Sequence, residues 1–291
     1  MRKKSNVIST IVLIIMLLVG LSVMLYPTIS DWWNTREQRA AVARYNDVIA
    51  EMDDGETERL LNEAHEYNEK LAGVFAPFTN YDQISGYEDI LNISGTGVIG
   101  YISIPFIKIE LPIYHGTSEE VLNIAAGHLQ GSSLPVGGNN THAVISAHRG
   151  LPSAKLFTDL DQLVVGDTFT ITVLGEVYTY EIEKILTVKP EEVDKLAIIP
   201  NGDYVTLMTC TPYGINTHRL LLRSHRIETT YHYDAKVVAD AVQIDPILAV
   251  PAISAPLVIL LICFWIAGSK KKERPSARRS FEMLMKKQTT D

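Results

Sequence analysis

The chain has 291 residues, of which 46% are hydrophobic and 21% charged, with a formal net charge of −8. That length allows one large or two small domains, and two cysteines, Cys210 and Cys263, are too few for a disulfide framework. Three positive residues open the chain, and the tail from Lys270 to Asp291 carries eight positives and three negatives, which leaves −16 on the remainder. So acidic a body excludes nucleic acid as a partner, because a phosphate backbone calls for a basic surface.

The first element is apolar. Val7 to Tyr26 is twenty residues without a charge, long enough to cross the ~30 Å hydrocarbon core of a bilayer. A core helix or a cleaved signal peptide would read similarly, but the run is longer than a usual signal-peptide core and no A-x-A-like site follows it. Ile247 to Ala267 is a second uncharged run, of twenty-one residues. Pro251 and Pro256 within it weaken a soluble helix and are tolerated in a membrane one. Arg2, Lys3 and Lys4 precede the first run, and six Lys and Arg from Lys270 to Arg279 follow the second. Positive residues stay cytoplasmic. Both termini are therefore expected inside, the intervening region outside, and the lipid bilayer as a partner.

Between the two runs, Asp31 to Asp53 reads as a helix, with Ala40, Val42, Ala43, Tyr45, Val48 and Ile49 near helical spacing. Asp53-Asp54-Gly55 breaks it, and Thr57 is placed to cap a second helix running to about Leu71. Ala76-Pro77-Phe78 interrupts the pattern, and a polar loop follows to about Gly97. From there the chain turns to short β-like runs. Val98 to Ile104, Lys108 to Tyr114, Ala143 to Ala147, Glu176 to Val188, Tyr204 to Cys210 and Arg219 to Ile227 are strand-like. Phe169, Ile171 and Val173 alternate with threonines, as a half-buried strand does. Thr117 and Glu120 are spaced as a capping box for a short helix, and Ser153 to Leu163 has the look of another helix. About eight short strands with few helices point to a mainly β fold, a closed or partly closed barrel.

Two residues at strand ends carry the chemical interest. Cys210 ends one strand, and Arg219 opens the next after a turn marked by Pro212 and Gly214. Residues on either side of such a loop lie near one another in an antiparallel pair. His148 follows the strand Ala143 to Ala147 and precedes the turn Arg149-Gly150-Leu151-Pro152. A reactive thiol needs an acid–base or ionic partner and a place for developing negative charge. The bland alternatives are a small core cysteine, a buried histidine and a solvated arginine, as in a silent membrane-anchored scaffold. No CxxC, HxH or H-E-x-x-H spacing suggests a metal. The Asn-x-Ser/Thr matches at Asn92 and Asn139 are read as chance.

The segment "TLMTCTPYGINTHRLLLR", Thr206 to Arg223, closely resembles the active-site segment of sortases, cysteine transpeptidases of Gram-positive surfaces. Thr206, Leu207, Thr209, Cys210 and Arg219 match its T-L-x-T-C pattern with an arginine on the following strand. The form T-C-T-P-Y-G-x-N-T-H-R resembles the class C, pilus-assembling group, and so does "GYISIPFIKIELPIYHGTSEEVLNIAAGHLQGSSLPVGGNNTHAVISAHRGLPSAKLFTDL". The resemblance, over roughly residues 32–227, implies a sortase-like eight-stranded barrel with a helical lid appendage, flanked by two transmembrane helices. It implies catalytic Cys210, His148 and Arg219, and a lid at Pro77 and Phe78. The expected division is an N-terminal anchor (1–30), the helical appendage with its lid (31–96), the barrel (97–232), a linker with the second membrane helix (233–268) and a basic tail (269–291). The implied reaction is cleavage of an LPXTG-like sorting signal between Thr and Gly, then transfer to a pilin lysine, with no cofactor. A housekeeping sortase that anchors proteins to cell-wall precursor is the rival reading. One departure stands out: the family's lid motif is Asp-Pro-aromatic, and this chain has Ala76 at the acidic position.

Overall fold

The computed structural model describes residues 2–229. The expected second membrane helix, the basic tail, His232 and Cys263 lie outside those residues. The leading element is one continuous helix, α1 (Arg2–Glu51), with Pro27 inside it. The sequence suggests instead an apolar span and a separate helix from Asp31. The intervening Pro27-Thr28-Ile29-Ser30 contains no glycine, and one proline removes a single backbone hydrogen bond without forcing a stop. The helix contains an 18-residue apolar stretch, none of it buried, that is long and apolar enough to cross a membrane by length and composition.

α2 (Asp54–Ala72) starts one turn earlier than expected. Asp53 is its cap: the Asp53 side chain accepts from the Glu56 N–H at 2.8 Å, while Thr57 already sits in the first turn. A carboxylate there also suits the helix dipole. α3 (Pro77–Asn80) is a single turn, entered through Ala76 at φ 48°, ψ 62°. Left-handed backbone is costly for a residue with a Cβ and no side-chain hydrogen bond.

The eight strands close a barrel: β1 (Val98–Ile104), β2 (Ile109–His115), β3 (Ala126–His128), β4 (Thr141–Ser146), β5 (Thr168–Val173), β6 (Glu176–Val188), β7 (Asp203–Thr211) and β8 (His218–Ile227). Their spatial order is β1-β2-β3-β4-β7-β8-β6-β5. β3 has only three residues, too few to show a period of two. The short helix α4 (Glu119–Leu122) is capped by Ser118, whose hydroxyl accepts from the Val121 N–H, not by Thr117. The helix expected over 153–163 does not form. The chain takes a series of tight turns there, with Thr158 N–H on Lys155 O, Leu160 on Phe157 and Leu163 on Leu160. Those turns still bury Ala154, Phe157, Leu160 and Leu163, so the apolar spacing is satisfied without a helix.

Alternation divides the sheet into two faces. Ile145, Val205, Leu207, Leu220 and Leu222 point into the main core with Ile102, Phe169 and Tyr180. Val144, Leu221 and Val188 form a separate cluster on the other face, with Leu196 and Met208. α1 is fixed to the barrel by Tyr45, 1% exposed. Its hydroxyl donates to Ile99 O at 3.0 Å and accepts from the Leu174 N–H at 2.9 Å.

Candidate active site

β4 and β7 run parallel, with Val144 opposite Thr206 and Ser146 opposite Met208. β7 and β8 are antiparallel, with Met208 opposite Leu221 and Cys210 opposite Arg219. Residues 144, 146, 206, 208, 210, 219 and 221 therefore share the outer face of the sheet. Cys210 and Arg219 are direct cross-strand neighbours, a relation that sets Cβ atoms about 4.5–5.5 Å apart. His148 lies two residues beyond Ser146, where β4 would come level with Cys210. Two contacts hold that level. The Ala147 N–H donates to Met208 O at 3.2 Å, and the Thr209 hydroxyl donates to Ala147 O at 2.9 Å in the interior. The residue before the thiol is thus tied to the residue before the imidazole.

Cys210, His148 and Arg219 are all partly exposed. Cys210 is a free thiol. The Arg219 guanidinium folds back on its own loop, donating from Nη1 to His218 O at 3.1 Å and Asn216 O at 3.3 Å. Three other histidines have hydrogen-bond partners of their own. His142, on β4 six residues before His148, is fully buried. Its Nδ1 meets Ala197 O at 2.8 Å and its Nε2 meets Thr206 Oγ1 at 2.7 Å. Burial pushes its pKa below the usual imidazole range. His128 is fully buried too, its Nδ1 at 2.8 Å from the Tyr87 hydroxyl and its Nε2 at 2.8 Å from Ser133 O. Burial lowers its pKa to about 4. His218 contacts the neighbouring Thr217 hydroxyl, at 2.9 Å.

A brace that sequence reasoning misses joins the two loops that follow His148 and Cys210. Arg149, with a side chain 9% exposed, pairs with Asp161, and its guanidinium lies 5.6 Å from the Tyr213 ring centre. Gly150, at φ 74°, lies so close to Tyr213 that an added Cβ would meet the ring at 2.9 Å. The left-handed backbone there favours glycine, and the missing side chain lets the Tyr213 ring lie close. The signal is present as two turn-rich strings, His148-Arg149-Gly150 and Pro212-Tyr213-Gly214, but their contact is long-range and only the fold reveals it.

The segment expected to act as a lid lies on the same outer face. Phe78 packs on the cluster of Val144, Val188, Leu196 and Leu221, to which Met208 also belongs. Met208 is two residues from Cys210, about 7 Å along a strand. Pro77 and the Phe78 backbone press on Gly131, where an added Cβ would meet Pro77 O at 2.8 Å.

A thiol, an imidazole and a guanidinium gathered at one end of a closed β-barrel define the class of cysteine acyl-transfer proteins. Comparison with known proteins supplies the family. Residues 102–227 match the Sortase domain. Sortase C1 from Streptococcus agalactiae superposes with a TM-score of 0.61 at 47% identity, over 66% of this chain and 100% of that one. A Clostridium perfringens sortase C, solved with a C-terminal cell wall sorting motif, gives 0.58 at 43% identity, over 65% and 99%. The chain is also 38% identical over 117 residues to Sortase A from S. agalactiae, 39% of this chain and 47% of that protein. Sortase D from Bacillus subtilis is 30% identical over 115 residues, 40% and 55%. The matches thus span about half the length of these two curated relatives. The chain belongs to the sortase family, whose members are cysteine transpeptidases.

Proposed function

We propose that this chain is a membrane-anchored class C sortase that polymerises pilins. In this reading Cys210, as thiolate, attacks the carbonyl carbon of the Thr–Gly bond in an LPXTG-like sorting signal. The thiolate is the competent nucleophile. The C–S bond forms, the C–N bond breaks, and His148 as imidazolium gives its proton to the leaving glycine amine. A lysine amine of the next pilin then attacks the thioester and expels Cys210, with His148 taking the proton back. Arg219 supplies a fixed positive charge beside the thiol for the oxyanion or the substrate backbone. Its backbone-bound position at His218 and Asn216 leaves it one side-chain rearrangement from that task. The acyl exchange needs no cofactor.

The observation that carries the reading is the register pair Cys210–Arg219, with His148 brought level by the Ala147–Thr209 tie. Class C is favoured over the housekeeping rival by α2 and the α3 turn, which bring Phe78 onto the face that carries Cys210. The similarity to sortase C structures from S. agalactiae, C. perfringens and Streptococcus pneumoniae supports the same choice, and the S. pneumoniae structure bears on pilin substrate specificity. α1 serves as an uncleaved anchor with the barrel outside the cell, a second span follows, and both termini are cytoplasmic. The test is acceptor choice. The full chain in detergent, given a sorting-signal peptide, should form an isopeptide with a pilin lysine in preference to a cell-wall precursor amine. The opposite preference would make it a housekeeping enzyme.

A further inference from the structure

α1 fixes where the barrel stands relative to the bilayer. Its apolar run ends at Tyr26, and three side chains just beyond it hold the barrel. The Lys155 N–H donates to Asp31 Oδ1 at 2.6 Å, Asn34 Nδ2 donates to Ser153 O at 2.7 Å, and Gln38 Nε2 donates to Ile124 O at 2.7 Å. At 1.5 Å per residue, Asp31 lies about 7.5 Å past Tyr26 and Asn34 about 12 Å. The polar zone on one side of a bilayer is about 5–7.5 Å deep. Trp32 and Trp33, 41% and 57% exposed, fall between the Asp31 and Asn34 contacts, the residue type that marks the membrane interface. The first of these contacts therefore lies at the outer edge of the headgroup layer and the next two just beyond it.

The end of the barrel that meets α1 there is the active-site end. β1 is antiparallel to β2, β2 parallel to β3, β3 antiparallel to β4, and β4 parallel to β7. The carboxyl ends of β1, β4 and β7 thus share one end, with His148 and Cys210. The β1–β2 hairpin tip is there, and so is the turn before β5, because Ser103 lies opposite Thr170. Lys155 Nζ donates to Ile107 O at 3.0 Å, joining that tip to the loop held by Asp31. At this end Phe106 (64% exposed), Val164 (60%) and Val165 (59%) project large apolar side chains into solvent. The opposite end, near Ile49 and Gly175, is up to five turns further along α1.

We infer that Phe106, Val164 and Val165 form a lipid-contacting rim, which seats the active-site end of the barrel on the outer headgroups of the membrane that α1 spans. The mouth between His148 and Cys210 then opens toward the bilayer and favours substrates tethered in it. This rests on reading α1 as an anchor, and the test separates the two. The full chain with Cys210→Ala and Cys263→Ala is given one cysteine at position 106, 165, 176 or 18, labelled with bimane and placed in bilayer nanodiscs holding lipid spin-labelled both near the headgroup, to report on 106, 165 and 176, and at mid acyl chain, to report on 18, which lies about 12 Å inside Tyr26. Strong quenching is expected at 106, 165 and 18, and none at 176 in the β5–β6 hairpin. Quenching at 18 with none at 106 and 165 overturns the rim and spares the anchor. No quenching at 18 overturns both. In the otherwise wild-type chain, Phe106→Asp and Val165→Asp should lower turnover of a membrane-tethered sorting signal several-fold and leave that of a soluble peptide unchanged. An equal loss on both substrates also counts against the rim.

Discussion

His142 and His148 stand six residues apart on the same face of β4 or its extension, yet they live in different media. Within β4, His142 is fully buried, each ring nitrogen has a partner, and burial depresses its pKa. Beyond the strand's end, His148 is partly exposed and stands level with a thiol whose cross-strand neighbour is an arginine. The same contrast runs down β7, where Thr206 is spent on His142 and Cys210 is not. Residue type does not separate the two histidines. Position does, because within the strand the His142 ring is enclosed by Ala197 and the Thr206 side chain, and His148 lies past the strand's last paired residue.

The largest expected effect tests the mouth alone. Cys210→Ala should abolish transpeptidation and leave thermal unfolding unchanged, since the thiol is a partly exposed strand-end group. Next come its partners. His148→Ala and Arg219→Ala should each lower kcat/KM about 100-fold or more, with little loss of stability. His142→Ala should do the reverse, destabilising by about 1–3 kcal/mol through the unpaired Thr206 hydroxyl and Ala197 carbonyl, with turnover per folded molecule retained. A full loss of turnover in His142→Ala with wild-type stability would exchange the two roles.

Acid should break the buried histidines before it breaks the barrel's apolar core. His128 titrates near 4 in the folded chain and near 6.5 when unfolded. As pH falls from 6.5 toward 4 the unfolded chain takes up the proton and the folded one does not. Stability present above 6.5 is therefore lost across that window, by about 3 kcal/mol for this residue. His115 and His142, also lowered by burial, act with the same sign. Melting temperature between pH 7.5 and 4.5 measures it, and His128→Gln should flatten the slope.

The smallest effects belong to the Ala76-Pro77-Phe78 segment. Full burial of Phe78 is worth about 1.5–3 kcal/mol, and it is only partly buried. Phe78→Ala should speed reaction of Cys210 with a soluble thiol reagent several-fold. Ala76→Asp should slow it, because aspartate tolerates the left-handed backbone at residue 76 better than alanine. An unchanged labelling rate in both variants would make the segment a turn packed on Met208 and nothing more.

Strands with clear alternation, such as Thr168–Val173, and strands bounded by turns, such as Glu176–Val188, are legible in the sequence. So is the link from Cys210 to Arg219, because a hairpin is a local relation. β3 is not, being three residues long, too short to show a period of two even though it pairs with the strands before and after it in the chain. The α2 cap falls on Asp53 where spacing points to Thr57, because two acceptors compete within one turn. The Arg149–Tyr213 brace joins residues far apart in the chain, and no spacing rule reports such a contact.

The central claim is that Cys210 forms a thioester with a sorting signal. The direct measurement is intact-protein mass spectrometry of the full chain in detergent, incubated with an LPXTG-like peptide and no amine acceptor, then mapped by proteolysis. A mass increase equal to the peptide's acyl fragment through Thr, located on Cys210, absent from Cys210→Ala and discharged by an added lysine amine, is the predicted result. Peptide cleaved at the same rate by Cys210→Ala, or an adduct on any other residue, would contradict it.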